Sequence, residues 1–253
     1  MGRKAMTKHR VVVAGASGRM GRAVVEAVSA ADDMEFVGGA GRSDDLAAVI
    51  ERVRPTVLVD FTVPEAVLDH IRIGLAAGIP MVVGTTGLTA DDVGQVDEEA
   101  RRRGVGLVIE PNFSLGAVLM ARFAREAARW FPHAEIVEFH HEGKHDAPSG
   151  TAMRTAEAIA TVRPAASVSS ENRLELAPGV RGGLHAGVRI HSVRLPGHVA
   201  HQEVIFGSDG EALRIRHDTV DRRAFMPGVL LAVRRVGGLR GVHRLEDLLF
   251  PEG

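Results

Sequence analysis

The chain has 253 residues, 45% of them apolar, a formal net charge of −1 and no cysteine. That length allows one large domain or two small ones around a sizeable core. The near-neutral charge argues against a nucleic-acid partner held by a basic field, and the missing thiols exclude disulfides and cysteine-based zinc sites.

Residues 1–10 are basic, but no apolar h-region follows, so no signal peptide is expected. No stretch approaches the roughly 18–20 apolar residues that cross a bilayer. The expectation is a cytoplasmic protein with no membrane partner and a short disordered N-terminal tail.

Residues 11–14 read as a buried strand, and Gly15, Ala16, Ser17, Gly18, Arg19, Met20 and Gly21 then open a helix running to about residue 31. Further strands are predicted over 34–38, 57–61, 81–83 and 106–109, with helices over 46–52, 64–77 and 91–103. Short apolar strands alternating with helices indicate a doubly wound parallel sheet covered on both faces.

The pattern changes after Pro111. A long helix is predicted over 115–130, ending on Trp130 as a packing residue, followed by a strand over 135–139 and a helix over 150–160. Residues 161–183 read as a long mobile connection. Strands over 188–195, 200–206 and 211–217 look antiparallel, with Ser208-Asp209-Gly210 as a hairpin turn. A last helix covers 225–236. His185, His191, His198, His201 and His217 are expected in the core or at an interface, since their spacing suggests no metal site.

Gly15-x-x-Gly18-x-x-Gly21 lies between a strand and a helix. Glycines permit a tight turn and close approach of a pyrophosphate, and the helix N-terminus offers N–H groups to the anion. The expected ligand is NADPH and/or NADH. About twenty residues on, where an acid would hold the ribose hydroxyls, stands Gly41, with Arg42 beside it. A guanidinium there suits a 2′-phosphate and favours NADPH, although Asp44 or Asp45 could stand in for the acid. Gly84, Thr85, Thr86 and Gly87 follow one strand, and Glu110, Pro111, Asn112 and Phe113 follow another. Both loops lie at carboxyl strand ends, where ligands of such sheets bind.

The densest chemistry runs from Glu138 to Thr151. His140 and His141 leave a strand in opposite directions, so they are expected to do different work. Lys144 follows a short turn later. Ser149 is a favourable N-cap for the next helix, and the amides of Gly150 and Thr151 form a carboxylate site. Together these groups suit a small dianionic substrate. His141-Glu-Gly-Lys-His145 also fits H-E-x-x-H, but a zinc hydrolase needs that string on a helix. Gly143, Pro148 and the preceding strand oppose one, so no metal is expected.

With these motifs in view, the chain resembles the 4-hydroxy-tetrahydrodipicolinate reductase (dihydrodipicolinate reductase) family. The resemblance rests on Gly15–Gly21, Asp60-Phe61-Thr62, Gly84–Gly87, Pro111-Asn-Phe-Ser114 and His140-His-x-x-Lys144-x-Asp-Ala-Pro-Ser-Gly-Thr151. It implies a Rossmann domain, here 1–113 completed by 222–253. It also implies an α+β substrate and oligomerisation domain, here 114–221, whose open mixed sheet packs subunits into a homotetramer. It implies NAD(P)H-dependent reduction of a heterocyclic dicarboxylate on the diaminopimelate route to lysine. His140 would be the acid/base, His141 a substrate contact and Lys144 a proton donor. Ser149, Gly150 and Thr151 would hold a substrate carboxylate, and Asp60 and Phe61 would join the cofactor contacts. Two departures stand out: Gly41 in place of an acid, and Glu110 in place of a small residue. The alternatives are a related dehydrogenase of another small amino or keto acid, and a catalytically silent NAD(P)H-binding sensor.

Overall fold

The computed structural model describes residues 8–162 and 174–251. In chain order it contains β1 (His9–Ala14), α1 (Arg19–Ala30), β2 (Met34–Ala40), α2 (Leu46–Val53), β3 (Val57–Asp60), α3 (Pro64–Ala76) and β4 (Met81–Val83). Then come α4 (Ala90–Arg103), β5 (Gly106–Ile109), α5 (Leu115–Ala127), β6 (His133–His140), α6 (Gly150–Val162), β7 (Gly183–His185) and β8 (Val188–Arg194). The last are β9 (Ala200–Ser208), β10 (Glu211–Thr219), α7 (Met226–Val236), β11 (Gly241–His243) and α8 (Leu245–Leu249). The chain divides into two compact units, Met1–Leu115 with Phe225–Gly253, and Gly116–Ala224.

The first unit holds a six-stranded sheet in the order β11-β5-β4-β3-β1-β2, parallel throughout. Val11, Val12, Val13, Leu58, Val59, Val82, Leu107 and Val108 are fully buried. Continuous apolar strands are what a sheet covered on both faces requires. Helix α1 buries Gly21, Val24 and Val28, one stripe at helical spacing. The order reverses at β1, which has β2 on one side and β3 on the other. In open α/β sheets a ligand crevice forms at such a switch point, beyond the carboxyl strand ends.

The second unit holds a five-stranded mixed sheet, β10-β9-β6-β8-β7. Ala134, Ile136, Val188, Ile190, Val204 and Phe206 cluster on one face with Met120 and Ala124 of α5 and Ala152, Ala156 and Ile159 of α6. Glu135, Val137, Phe139, His191, His201, Glu203 and Ile205 alternate with those residues and are only partly buried. Asp209 and Gly210 form the two-residue loop between β9 and β10, with Gly210 at φ +83° as a tight hairpin needs.

Five expectations are corrected. Strand β8 is not the antiparallel neighbour of β9 but pairs with β6, in parallel, because α6 carries the chain back between them. Helix α5 stops at Ala127, and Trp130 beyond it is 78% exposed rather than packed. Strand β7 begins at Gly183, at the end of the stretch read as connection; residues 163–173 of that stretch, like residues 1–7 of the expected tail, lie outside the described residues. Strand β11 and helix α8 were too short to register as periodic segments. The five late histidines are all partly exposed, so of the two places expected for them, core or interface, the core is excluded. Among the described residues no helix is long and apolar enough to cross a membrane.

Candidate active site

In the first unit, the glycine loop is a tight turn by necessity. Gly15 has φ +79°, and a Cβ there would lie 2.3 Å from the Phe61 carbonyl oxygen. A Cβ on Gly21 would lie 2.0 Å from the Gly15 carbonyl oxygen. Gly18 occupies the N-cap of α1 with extended backbone and no side-chain cap, and the first turn carries no acid. Helices α2 and α4 differ, capped by Asp45 and by Thr89 with Asp92. The uncapped amides after Gly18, with Ala16, Ser17, Arg19 and Met20 around them, fit a dinucleotide pyrophosphate.

Arg42 lies just past the carboxyl end of β2 and is exposed. The two acids near it have other work. Asp45 accepts from the Ala47 and Ala48 amides, and Asp44 accepts from the Gly41 amide at 2.7 Å.

Asp60 ends β3, fully buried. Its Oδ1 accepts from Thr85 Oγ1 at 2.5 Å, Thr62 Oγ1 at 2.7 Å and the Thr62 amide at 3.1 Å. Its Oδ2 lies 2.6 Å from His70 Nδ1. The carboxylate therefore turns inward and ties the loop after β3 to the loop after β4, rather than facing a ligand. A Cβ on Gly84 would meet the Phe61 ring at 2.1 Å, and that ring stacks at a tilt on Phe113, 5.9 Å between centroids. Thr85 is buried and Thr86 exposed. Glu110, whose side chain the sequence left without a role, accepts from the Asn112 amide at 3.3 Å. Asn112 Oδ1 in turn accepts from the Ser114 amide at 3.0 Å, which braces the turn through Pro111.

In the second unit, Glu138 is the centre of the site. It has no exposed side-chain surface and sits two residues before His140, on the same face of β6. Glu138 Oε2 lies 2.5 Å from His140 Nδ1. Arg194 on β8 donates to both carboxylate oxygens, at 3.0 and 2.8 Å, and the Ser149 amide donates to Oε1 at 3.2 Å. Burial pushes the Glu138 carboxyl up, but the hydrogen bonds from His140, Arg194 and Ser192 outweigh it and hold the pKa at about 2.

The loop after β6 is a turn, not the helix that H-E-x-x-H needs. Lys144 Nζ binds both oxygens of Asp146, at 2.7 and 2.8 Å, and this bond is what lowers the Asp146 carboxyl. Arg194 also donates to the Asp146 carbonyl at 2.7 Å. His140 and Ser149 thus meet on the Glu138 carboxylate, and Lys144 is linked to them through Asp146 and the Arg194 guanidinium. His141 is exposed.

Ser149 is buried. Its Oγ accepts from the Ala152 amide at 3.2 Å, the cap its position predicts, and its own amide is committed to Glu138. Gly150 and Thr151 begin α6 ahead of the first intrahelical bond, Met153 N to Ser149 O. First-turn amides of this kind could hold an anion. The sequence reading missed Glu138, Arg194, Asp146 and His70. Strand alternation could have paired Glu138 with His140; Arg194 comes from 56 residues away and has no local signal.

The family models for dihydrodipicolinate reductase match in sequence, N-terminus over residues 9–113 and C-terminus over residues 116–249. The chain is similar to the 4-hydroxy-tetrahydrodipicolinate reductase of Moorella thermoacetica, 46% identical, covering 95% of this chain and 97% of the relative. The enzyme of that name from Coxiella burnetii is also 46% identical, over 94% of this chain and 98% of its own. A solved dipicolinate-bound dihydrodipicolinate reductase from Paenisporosarcina sp. TG-14 superposes with a TM-score of 0.87 at 36% identity, covering 95% of this chain and 99% of that one. An amine dehydrogenase from Mycobacterium smegmatis, 12% identical with a TM-score of 0.66 over 96% of this chain and 97% of its own, shares the fold alone.

Proposed function

The chain belongs to the dihydrodipicolinate reductase family, and from that membership we propose that His140 and Lys144 are the groups that supply the proton in its reaction. The reaction is the NAD(P)H-dependent reduction of 4-hydroxy-tetrahydrodipicolinate, with loss of water, on the diaminopimelate route to lysine.

The Glu138-centred network carries this assignment. It holds an imidazole and an ammonium beside a helix N-terminus. The substrate is a cyclic dicarboxylate. One carboxylate would sit on the Gly150 and Thr151 amides, where N–H groups and the helix dipole favour an anion. Lys144 and His141 add positive or hydrogen-bonding character to the same loop. When bound, the reduced nicotinamide supplies the hydride that adds at ring C4. Negative charge then builds toward the ring nitrogen. Either His140 or Lys144 delivers a proton there, while the other stabilises the charge before transfer.

Gly15, Ala16, Ser17, Gly18, Arg19 and Met20 would hold the pyrophosphate, and Arg42 a 2′-phosphate. Phe61, Gly84, Thr85, Thr86, Glu110, Pro111, Asn112 and Phe113 would line the nicotinamide end, with Asp60 setting their loops. The partly exposed face of the second sheet, with Val137, Phe139 and Ile205 among its charges, supports assembly into a homotetramer. We further assign the enzyme to the cytoplasm.

A coupled assay tests the function. The upstream synthase generates the unstable substrate, and loss of reduced-cofactor absorbance is followed. Oxidation that depends on synthase and on this protein is expected. Cofactor binding without oxidation would identify a silent sensor, and oxidation only with other amino or keto acids a related dehydrogenase.

A further inference from the structure

Resting on the assignment of His140 as the acid, we infer that Glu138 is a positioning residue that fixes the proton of His140 on Nδ1, so that Nε2 is the nitrogen that gives and regains the proton in turnover. The geometry requires it. Glu138 accepts from Arg194 through both oxygens and from the Ser149 amide, at 2.8–3.2 Å. A carboxylate so surrounded by donors is ionised and has no proton to offer. In the short contact with His140 the imidazole must therefore be the donor. Its second nitrogen then carries a lone pair when the ring is neutral and a proton when it is charged. Only that nitrogen can exchange a proton with substrate.

The same carboxylate places the rest of the site. Its Arg194 partner also holds the Asp146 carbonyl, two residues from Lys144, and its Ser149 contact sets the start of α6. Glu138 itself has no exposed side-chain surface through which to reach a substrate. It acts through His140, much as a buried carboxylate orients a catalytic histidine in other enzymes.

Two measurements test this. Neutron diffraction of the wild-type protein should show deuterium between His140 Nδ1 and an unprotonated Glu138. Deuterium on Nε2 with Nδ1 bare, or a protonated Glu138, would overturn the inference without any variant. In kinetics, Glu138→Gln offers an amide that can donate to Nδ1 and reverse the tautomer. We expect kcat to fall about 10–100-fold, NADPH affinity to hold, and the solvent deuterium isotope effect on kcat to rise as proton transfer becomes limiting. Glu138→Asp, which restores the charge, should lie between. Wild-type kcat and isotope effect in a folded Glu138→Gln protein would refute the role. Full turnover in His140→Ala would instead refute the assignment of His140, while the neutron result would still decide where its proton sits.

Discussion

Asp146 holds the Lys144 ammonium with both of its oxygens, at 2.7 and 2.8 Å, in the loop that follows β6. The one group on that loop with a permanent positive charge is therefore engaged by a neighbouring carboxylate, and under the role proposed for Lys144 a substrate dianion would have to compete for it. Asp146 is 65% exposed, so the pair is a surface ion pair worth about 0.2–1 kcal/mol. Asp146→Asn should remove the competition. The expected result is a substrate KM lowered up to about fivefold, with stability unchanged within about 0.5 kcal/mol. Steady-state kinetics in the coupled assay measures it, and a raised KM would mean that Asp146 presents the lysine rather than restrains it.

His140→Ala and Lys144→Ala should each lose turnover by about 10²–10⁴-fold, the range for a positioned proton donor. Both groups lie in the second unit, whereas the glycine loop lies in the first. Cofactor affinity, followed by quenching of reduced-nicotinamide fluorescence, should therefore stay at the wild-type value.

Arg42→Ala should weaken NADPH at least tenfold and leave NADH unaffected. A charge-assisted bond to a 2′-phosphate is worth about 1.5–3 kcal/mol, and Asp44 and Asp45 are committed to backbone amides. Kinetics with both cofactors decides this; equal loss with each, or none with either, would remove Arg42 from the ribose site.

Gly21→Ala places a methyl group 2.0 Å from the Gly15 carbonyl. The loop must shift, at a cost of about 1–3 kcal/mol, and dinucleotide affinity should drop with it. Gly94→Ala, in α4 with nothing within 4 Å of its Cβ, is the control. It should raise stability by about 0.5–1 kcal/mol and leave binding alone. Thermal melts and cofactor titration of both variants make the comparison.

Glu138 also leaves a signature in the pH dependence of stability. Its folded pKa of about 2 lies below the ordinary 4.5. A carboxylate depressed in the folded state stabilises fully above the unfolded value, and the contribution is lost as pH falls toward the folded one. That contribution is on the order of 3 kcal/mol. In urea unfolding at fixed protein concentration, the stability gap between wild type and Glu138→Gln should shrink between pH 5 and pH 3. A gap constant across that window would mean that Glu138 is not ionised as described.

Local signals carried most of the first unit. Val11–Ala14, Val57–Asp60 and Met81–Val83 are buried on both faces, so their apolar character is continuous and visible in a string. The turn at Gly15–Gly21 was visible too, because only glycine tolerates the approach of Phe61 and Gly15 carbonyls. Strand β11 escaped notice because three residues carry no period, and its Gly241 is there for the contact with Asp97. The parallel partnership of β6 and β8 was also hidden, since pairing direction is set by the path between two strands and not by either strand.

The amino-acid sequence by itself determined which groups the chemistry has available: the glycine turn, the His140–Lys144 pair, and the helix start at Gly150. Residue type and near-neighbour spacing are enough for these, because backbone conformation and capping are local. Only the tertiary structure decided how those groups are held. The Asp60 side chain is a buried brace between two loops, the Ser149 amide is committed to Glu138, and Glu138 is the acceptor on which His140, Arg194 and Ser149 converge. Hydrogen-bond partners of a buried carboxylate come from whatever strands packing brings alongside it, and for Glu138 the decisive one stands 56 residues away.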